Sequence, residues 1–416
     1  MSIKRKILVP IFYRAHYGRL RSVLRAIQEH PSLELQTMCA VQAAYGSFFM
    51  NIKHSEPRSW LEALPWYVRA RVKGIVGIFR SGQFGSDFVI KRMVKDGFTI
   101  NSRIPLFFDG GVPATMAKST GWGIIKIVDE LRRLKPDMVF VNADRFEMMA
   151  VTIAAAYLNI PIAHNEAGDV SGTIDESVRH AITKFAHVHF TSTEQSRKRV
   201  IQMGENPETV FTVGSPAIDV LKEINVGESF KVGNVDTSKP YILSLTHPVT
   251  TESYDDNLKL IHSVLGAMED LKMPAIIIGS NSDAHSGAVG KTAAEWYTRN
   301  NLPNTFFIKS IHPDGFYKLL RGASCLLGNS SSFIREGAYF GTPAVIVGSR
   351  QDKRDRGQNV LEVPADKEAV KKAVLASIAH GRYASNMMFG DGNSGKRIAD
   401  ILATVNPQIQ KKFRTL

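Results

Sequence analysis

Short apolar runs alternate with amphipathic helical patterns along nearly the whole chain, in two successive series. That is the sequence form of βαβ units, because parallel strands need a long crossover and helices over both faces of the sheet. In the first series 6–12, 33–40, 138–142, 161–164 and 188–191 read as strands. Helices are predicted over 19–29, 126–134, 146–158, 175–186 and 193–203, the last with Ser192 or Thr193 as its N-cap. A second series follows Gly214-Ser215-Pro216, with strands at 241–246, 275–279, 305–308, 325–328 and 344–347. Its helices are predicted at 254–271, 315–321, from about 331, and at 367–379 and 395–404.

A single core stops growing at roughly 250–300 residues, so 416 residues carrying two such series predict two domains. The expected fold is α/β, with two Rossmann-like doubly wound domains facing a cleft. The expected boundaries are 1–204 with an insertion at about 51–82, a linker region 205–239 rich in Gly, Pro and Asn, a second domain 240–385, and a C-terminal helix and tail 386–416. Ligands of such sheets bind at the carboxyl ends of the strands. Arg14, Asp144, Glu166, His247, Asn281 and the Ser330-Ser331 pair all fall there.

The formal charge of +13 favours anionic partners: nucleic acid, an acidic membrane surface or a phosphate-bearing small molecule. No nucleic-acid module has its basic and aromatic residues at the required spacing, so nucleic acid is not an expected partner. The two cysteines, Cys39 and Cys325, sit in apolar runs and read as buried thiols; no zinc spacing exists, and neither metal nor cofactor is expected. The apolar run of the basic opening soon meets Arg14 and His16, which makes it a first strand rather than a signal peptide. No apolar run approaches the roughly 20 residues of a membrane span, and a cytoplasmic protein is expected. The segment 60–82 is basic, apolar and carries two tryptophans; it reads as an inserted helical excursion packed on the domain or a partner subunit, or as an interfacial helix touching membrane. Pro65 and two glycines interrupt a long helix there.

Gly328-Asn329-Ser330-Ser331-Ser332 lies between an apolar strand and a helix, where backbone N–H groups and hydroxyls meet an anion, or where a serine simply caps the helix. Glu336, one turn in, suits the two hydroxyls of a ribose; a first-turn acid also complements the helix dipole. Asp144, before Arg145, and Glu166 end neighbouring strands, and two nearby carboxylates divide acid and base roles by perturbing each other. Solvated loop acids are the plainer alternative. Asp175 and Glu176 open a helix, with Arg179 and His180 one turn on. His247, fixed by Pro248, is placed to donate to a diphosphate oxygen or to serve the structure alone.

In this order these residues resemble the UDP-N-acetylglucosamine 2-epimerases, and most of all their hydrolysing branch, which makes N-acetylmannosamine for sialic and related nonulosonic acids. The resemblance covers nearly the whole chain apart from about 51–82. It rests on Ser-Gly-Thr-Ile-Asp-Glu-Ser-Val-Arg-His-Ala-Ile-Thr-Lys at 171–184, Asp-Arg-Phe-Glu at 144–147, His-Pro-Val-Thr-Thr at 247–251, Gly-Asn-Ser-Ser at 328–331 and Gly-Asp-Gly-Asn-Ser at 390–394. It implies a GT-B-like fold with UDP held mainly by the second domain. On matching positions it implies UDP contacts from Arg14, Arg145, Asn281, Ser330, Ser331, Glu336 and Arg350, a diphosphate contact from His247 in the catalytic set, and catalytic carboxylates at Asp144, Glu166 and Asp175. It also implies a homodimer or homotetramer, needing no cofactor.

The chain departs from the family pattern in four places. Arg-Ala-Asp-Tyr becomes Arg14-Ala15-His16-Tyr17, the loop reading His-Ile-Glu/His-Gly-Gly-Glu becomes His164 to Asp169, a glycine before the first acid becomes Ala143, and 51–82 is inserted. His16 and Asp169 bear on the sugar more than on UDP, so a UDP-4-acetamido-dideoxy sugar stands beside UDP-N-acetylglucosamine as substrate. A non-hydrolysing 2-epimerase, a GT-B glycosyltransferase using a UDP-sugar and a non-catalytic sugar-nucleotide sensor complete the readings.

Overall fold

The computed structural model describes residues 4–42, 86–108, 113–224, 231–280, 286–300, 302–412 and 414. Asn281 and the insertion at 51–82, with its helical and membrane readings, lie outside the described residues.

The first sheet has seven strands: β1 (Arg5–Ile11), β2 (Leu33–Gln42), β3 (Ser102–Phe107), β4 (Met138–Asn142), β5 (Ile162–Asn165), β6 (Val188–Thr191) and β7 (Val210–Thr212), in the order β3-β2-β1-β4-β5-β6-β7. Every pairing is parallel. Side chains of a strand alternate between faces. Accordingly Ile7 and Val9 join one core with Leu20 and Leu24 of α1 (Arg14–Glu29), while Leu8 joins another with Ile127 and Leu131 of α3 (Pro113–Leu134) and Val151 of α4 (Phe146–Tyr157). The remaining helices of this half are α2 (Ser86–Lys95), α5 (Ile174–Phe185) and α6 (Glu194–Gln202).

The second sheet contains β10 (Ile242–Leu245), β11 (Ala275–Ile278), β12 (Thr305–Ile308), β13 (Cys325–Gly328), β14 (Ala344–Val347) and β15 (Val360–Val363), in the order β12-β11-β10-β13-β14-β15 and parallel throughout. One face is covered with help from α10 (Pro313–Gly322) and α11 (Ser331–Phe340), the other by α8 (Tyr254–Leu271), α9 (Ser286–Asn300) and α12 (Lys367–His380). Together the two doubly wound sheets make an α/β, GT-B-like fold.

The stretch 205–239 is more than a plain connection. It holds β7, then α7 (Pro216–Glu223), whose N1 proline suits a helix start, and an antiparallel hairpin of β8 (Lys231–Val232) and β9 (Val235–Asp236). The last helix, α13 (Ser394–Thr404), returns to the first sheet, where Ile398 and Leu402 share the core of Ile7. Asp219 of α7 caps its start, accepting from Ser394 N at 2.9 Å and Gly395 N at 2.6 Å.

Two predicted helices start well before their expected bounds, and strand β3 is among those not predicted. Helix α1 starts at Arg14, not 19, because His16 and Tyr17 are already buried in its first turn. Helix α3 starts at Pro113, not 126: Gly121 and Gly123 break the apolar pattern, yet a Cβ on Gly123 would stand 2.6 Å from Leu106, so the glycine is what lets the helix sit close to β3. Strand β3 escaped prediction because Pro105 interrupts it, and it is an edge strand, where a proline is tolerated. Cys39 and Cys325 are buried free thiols in β2 and β13. No helix among the described residues is long and apolar enough to cross a membrane.

Candidate active site

Strands β4 and β5 lie side by side, with Asn142 paired to Asn165, and both chains turn sharply as they leave the sheet. Ala143 and Glu166 adopt φ of +63° and +62°, the left-handed region that costs a side-chain-bearing residue roughly 1–2 kcal/mol. Such strain persists only where surrounding structure imposes it. His164 is part of that structure: its Nε2 donates to the Ala143 carbonyl at 2.8 Å, and its Nδ1 lies 3.1 Å from Thr183 Oγ1. Burial pushes this histidine down to about 3, so the ring is neutral and Nδ1 accepts. A carboxamide pair, Asn165 to Asn142 at 2.7 Å, ties the strand ends together.

The turns present the acids to buried guanidinium groups. Asp144 forms an ion pair with Arg179 of α5, which is 1% exposed and also donates to the Asp169 carbonyl at 2.9 Å. Glu166 receives Arg335 of α11 at 2.9 Å on Oε1, and Arg19 of α1 lies 3.9 Å from Oε2. Two helices from different sheets thus converge on one carboxylate. Asp169 is buried and accepts from Ser196 Oγ at 2.8 Å. Arg354, buried beside these acids, donates to the Val170 carbonyl at 3.2 Å, and burial lowers it to about 10.

The two central acids are pushed in opposite directions. Burial alone would raise Glu166, but the charges of Arg335, Arg19 and Arg354 outweigh it and hold the carboxyl below its ordinary value. Burial raises Asp169, and the neighbouring Glu166 charge adds to the rise against the pull of Arg354. Environments that separate two carboxyls in this way are the physical basis of an acid and base division.

Across the cleft, Ser330 caps α11, accepting from Ser332 N, so the plain capping reading is realised; its companion Ser331 accepts from both Arg19 (3.3 Å) and Arg335 (3.5 Å). Glu336 is fully buried, and neither carboxylate oxygen has a hydrogen-bond partner; Arg335 Nε stands 3.8 Å from Oε2, beyond hydrogen-bond reach. Burial raises this carboxyl. A buried acceptor pair without donors is costly unless a ligand supplies them. Gly328 at φ +138° is required, since a Cβ there would meet the Leu245 carbonyl at 2.2 Å.

The predicted residues are not all brought to one point. Glu166, Ser331 and Glu336 are brought together through Arg335. His247 is half-buried and held by Asn329, which accepts from its N–H at 2.7 Å and donates to its carbonyl at 2.8 Å; Arg350 donates to the Asn329 carbonyl at 3.2 Å. Arg145 occupies the residue before α4 and its guanidinium lies over Tyr13, 4.5 Å from the ring centre. Arg14 is exposed at the start of α1, and Asp175 is half-buried in the first turn of α5. Sequence reasoning did not single out Arg335 or Arg354, quoted Asn329 only within its motif, and named Asp169 only as a departure from the family loop that bears on the sugar. Asn329 and Asp169 carry the signal of position within stretches already recognised; Arg335 and Arg354 carry none.

A family model described as UDP-N-acetylglucosamine 2-epimerase matches residues 78–403. Over 405 residues the chain is 30% identical to the UDP-N,N'-diacetylbacillosamine 2-epimerase (hydrolyzing) of Legionella pneumophila, covering 96% of each. It is 27% identical over 363 residues to the GDP/UDP-N,N'-diacetylbacillosamine 2-epimerase (hydrolyzing) of Campylobacter jejuni, covering 86% of this chain and 84% of that one. The crystal structure of the Neisseria meningitidis UDP-GlcNAc 2-epimerase bound to UDP-GlcNAc superposes with a TM-score of 0.73 at 16% identity, covering 96% of this chain and 99% of that one.

Proposed function

Since this chain belongs to the UDP-N-acetylglucosamine 2-epimerase family, we propose that it is a hydrolysing 2-epimerase that releases UDP and a free 2-acetamido sugar inverted at C2. The observation that carries this reading is the buried acid pair, Glu166 receiving Arg335 at 2.9 Å and Asp169 receiving Ser196 at 2.8 Å, beside a helix start suited to a nucleotide.

The C2–H of the sugar is not acidic, since no carbonyl adjoins it. The C1–O bond to the diphosphate must break before the proton leaves or as it leaves. Charge then develops on the departing diphosphate, where the start of α11, His247 and Arg350 supply donors. A carboxylate takes the C2 proton and a glycal forms. Water adds its hydroxyl at C1 while a proton is delivered to the opposite face of C2. The balance is one UDP-sugar and one water in, one epimerised sugar and one UDP out. The downward shift of Glu166 suits a base and the upward shift of Asp169 an acid, with Asp144 and Asp175 as further carboxylates of the set. Glu336 accepts the two ribose hydroxyls, which its unpartnered oxygens suit. Ser330, Ser331, Arg14, Arg145 and Asn281 are proposed further contacts to UDP.

Two sugars are candidates. UDP-N-acetylglucosamine is the substrate that names the family; a 4-acetamido-dideoxy analogue is favoured by the activities of the Legionella and Campylobacter relatives. The test is UDP release from each sugar nucleotide, without acceptor, by the purified protein. Release from one or both supports the proposal. A strict need for an acceptor would make the protein a transferase instead.

A further inference from the structure

Glu166 is surrounded on every side by groups that titrate or carry charge: Arg19 and His16 from α1, Arg335 and Glu336 from α11, His164 from its own strand, Asp169 from the following loop and Arg354 from the loop after β14. Of these, only Arg335 makes a hydrogen bond to it that the structure shows, at 2.9 Å on Oε1. Arg335 belongs to the second sheet's layer and Glu166 to the first sheet, so this bond spans the cleft. The guanidinium is 0% exposed, which is uncommon for arginine unless every charge is answered. It answers three groups at once: Nη1 on Glu166, Nη2 on the Ser331 hydroxyl at 3.5 Å, and Nε facing Glu336 at 3.8 Å. A planar fork holds such an arrangement, and a lysine point charge does not.

Resting on the 2-epimerase reading above, we propose that Arg335 is a positioning residue: anchored beside the Glu336 pocket, its guanidinium reaches across the cleft to hold and aim the Glu166 carboxylate. The base is then set in place only when the two halves stand together around the nucleotide. Arg335 touches neither the sugar nor the diphosphate in this scheme; it acts through Glu166. His16, whose ring is pushed down to about 3 by burial first and by Arg145 and Arg19 next, is neutral and cannot take over the role.

The experiment measures kcat for UDP release against pH in the wild-type protein, Arg335→Met and Arg335→Lys. An inactive wild-type protein would sink the 2-epimerase reading itself; an active one isolates the present proposal. Loss of the cation raises the Glu166 carboxyl, so in Arg335→Met the acid limb of the profile moves up by about one pH unit, the low end for one charge because Arg19 and Arg354 remain. Its plateau kcat falls by roughly 10–100-fold from misplacement of the base. Arg335→Lys retains the charge and guards against a folding failure of the methionine variant: its acid limb stays within about half a unit of wild type while kcat falls roughly tenfold. An unmoved acid limb in Arg335→Met, or wild-type kcat in Arg335→Lys, would overturn the proposal.

Discussion

Replacing Asn329 by alanine tests how the diphosphate end of the site is held. Asn329 is fully buried, and its carboxamide makes two bonds to one residue: Oδ1 accepts from His247 N at 2.7 Å and Nδ2 donates to His247 O at 2.8 Å. Asn329→Ala deletes both and leaves the backbone carbonyl that receives Arg350 and Gln351. At about 1 kcal/mol net for each intramolecular bond, the 247 loop loses about 2 kcal/mol of order. That ordering must then be supplied during ligand binding, and at 1.4 kcal/mol per tenfold the affinity for UDP falls roughly thirtyfold. Asn329→Asp preserves volume and the Oδ1 acceptor but sets a second oxygen against the His247 carbonyl, so it is expected to weaken binding at least as much. Calorimetric titration with UDP reads both variants. A Kd within about threefold of wild type, ~0.7 kcal/mol, would refute the clamp.

Three further outcomes follow from the same geometry. Asp144→Asn leaves Arg179 buried without its counter-charge, and chemical denaturation is expected to show a loss of about 3 kcal/mol, the low end for breaking a buried pair. Glu166 is depressed in the folded state, so its contribution to stability is complete above its unfolded value near 4.5 and is lost as pH falls through the lower folded value; urea midpoints followed below pH 4.5 should fall less steeply in Glu166→Gln than in wild type. Activity is expected to survive EDTA, since no group of three metal-ligating side chains exists among the described residues; loss restored by a divalent ion would contradict that.

How much of this was legible in the sequence depends on how local each feature is. Buried parallel strands are continuous apolar runs, so β4, β10, β13 and β14 were readable from periodicity, as was the carboxyl-edge location of the motifs. Strand β7 was not, because three residues at a sheet edge carry too little pattern, and α9 lacked a readable start. In the site, Asp144, Glu166 and Glu336 stood out because they end strands or open a helix at the carboxyl edge of a sheet, where ligands bind, although acids also sit at such places for plainer reasons. Arg335 did not: only the approach of α11 to the turn after β5 gives it meaning, and nothing in the spacing of 166 and 335 encodes that contact. Ala143 was visible as a departure from a family glycine, but the φ of +63° that explains the glycine belongs to the folded turn.

The central claim, that UDP leaves and water adds at C1 with inversion at C2, is tested most directly by proton NMR of the purified protein with a UDP-linked 2-acetamido sugar in D2O. UDP-N-acetylglucosamine is measured first and its 4-acetamido-dideoxy analogue second. The account predicts, for one or both, a free C2-epimerised sugar with deuterium at C2 and an equal amount of UDP. A deuterated epimer still linked to UDP, or no change with either sugar nucleotide, would contradict it.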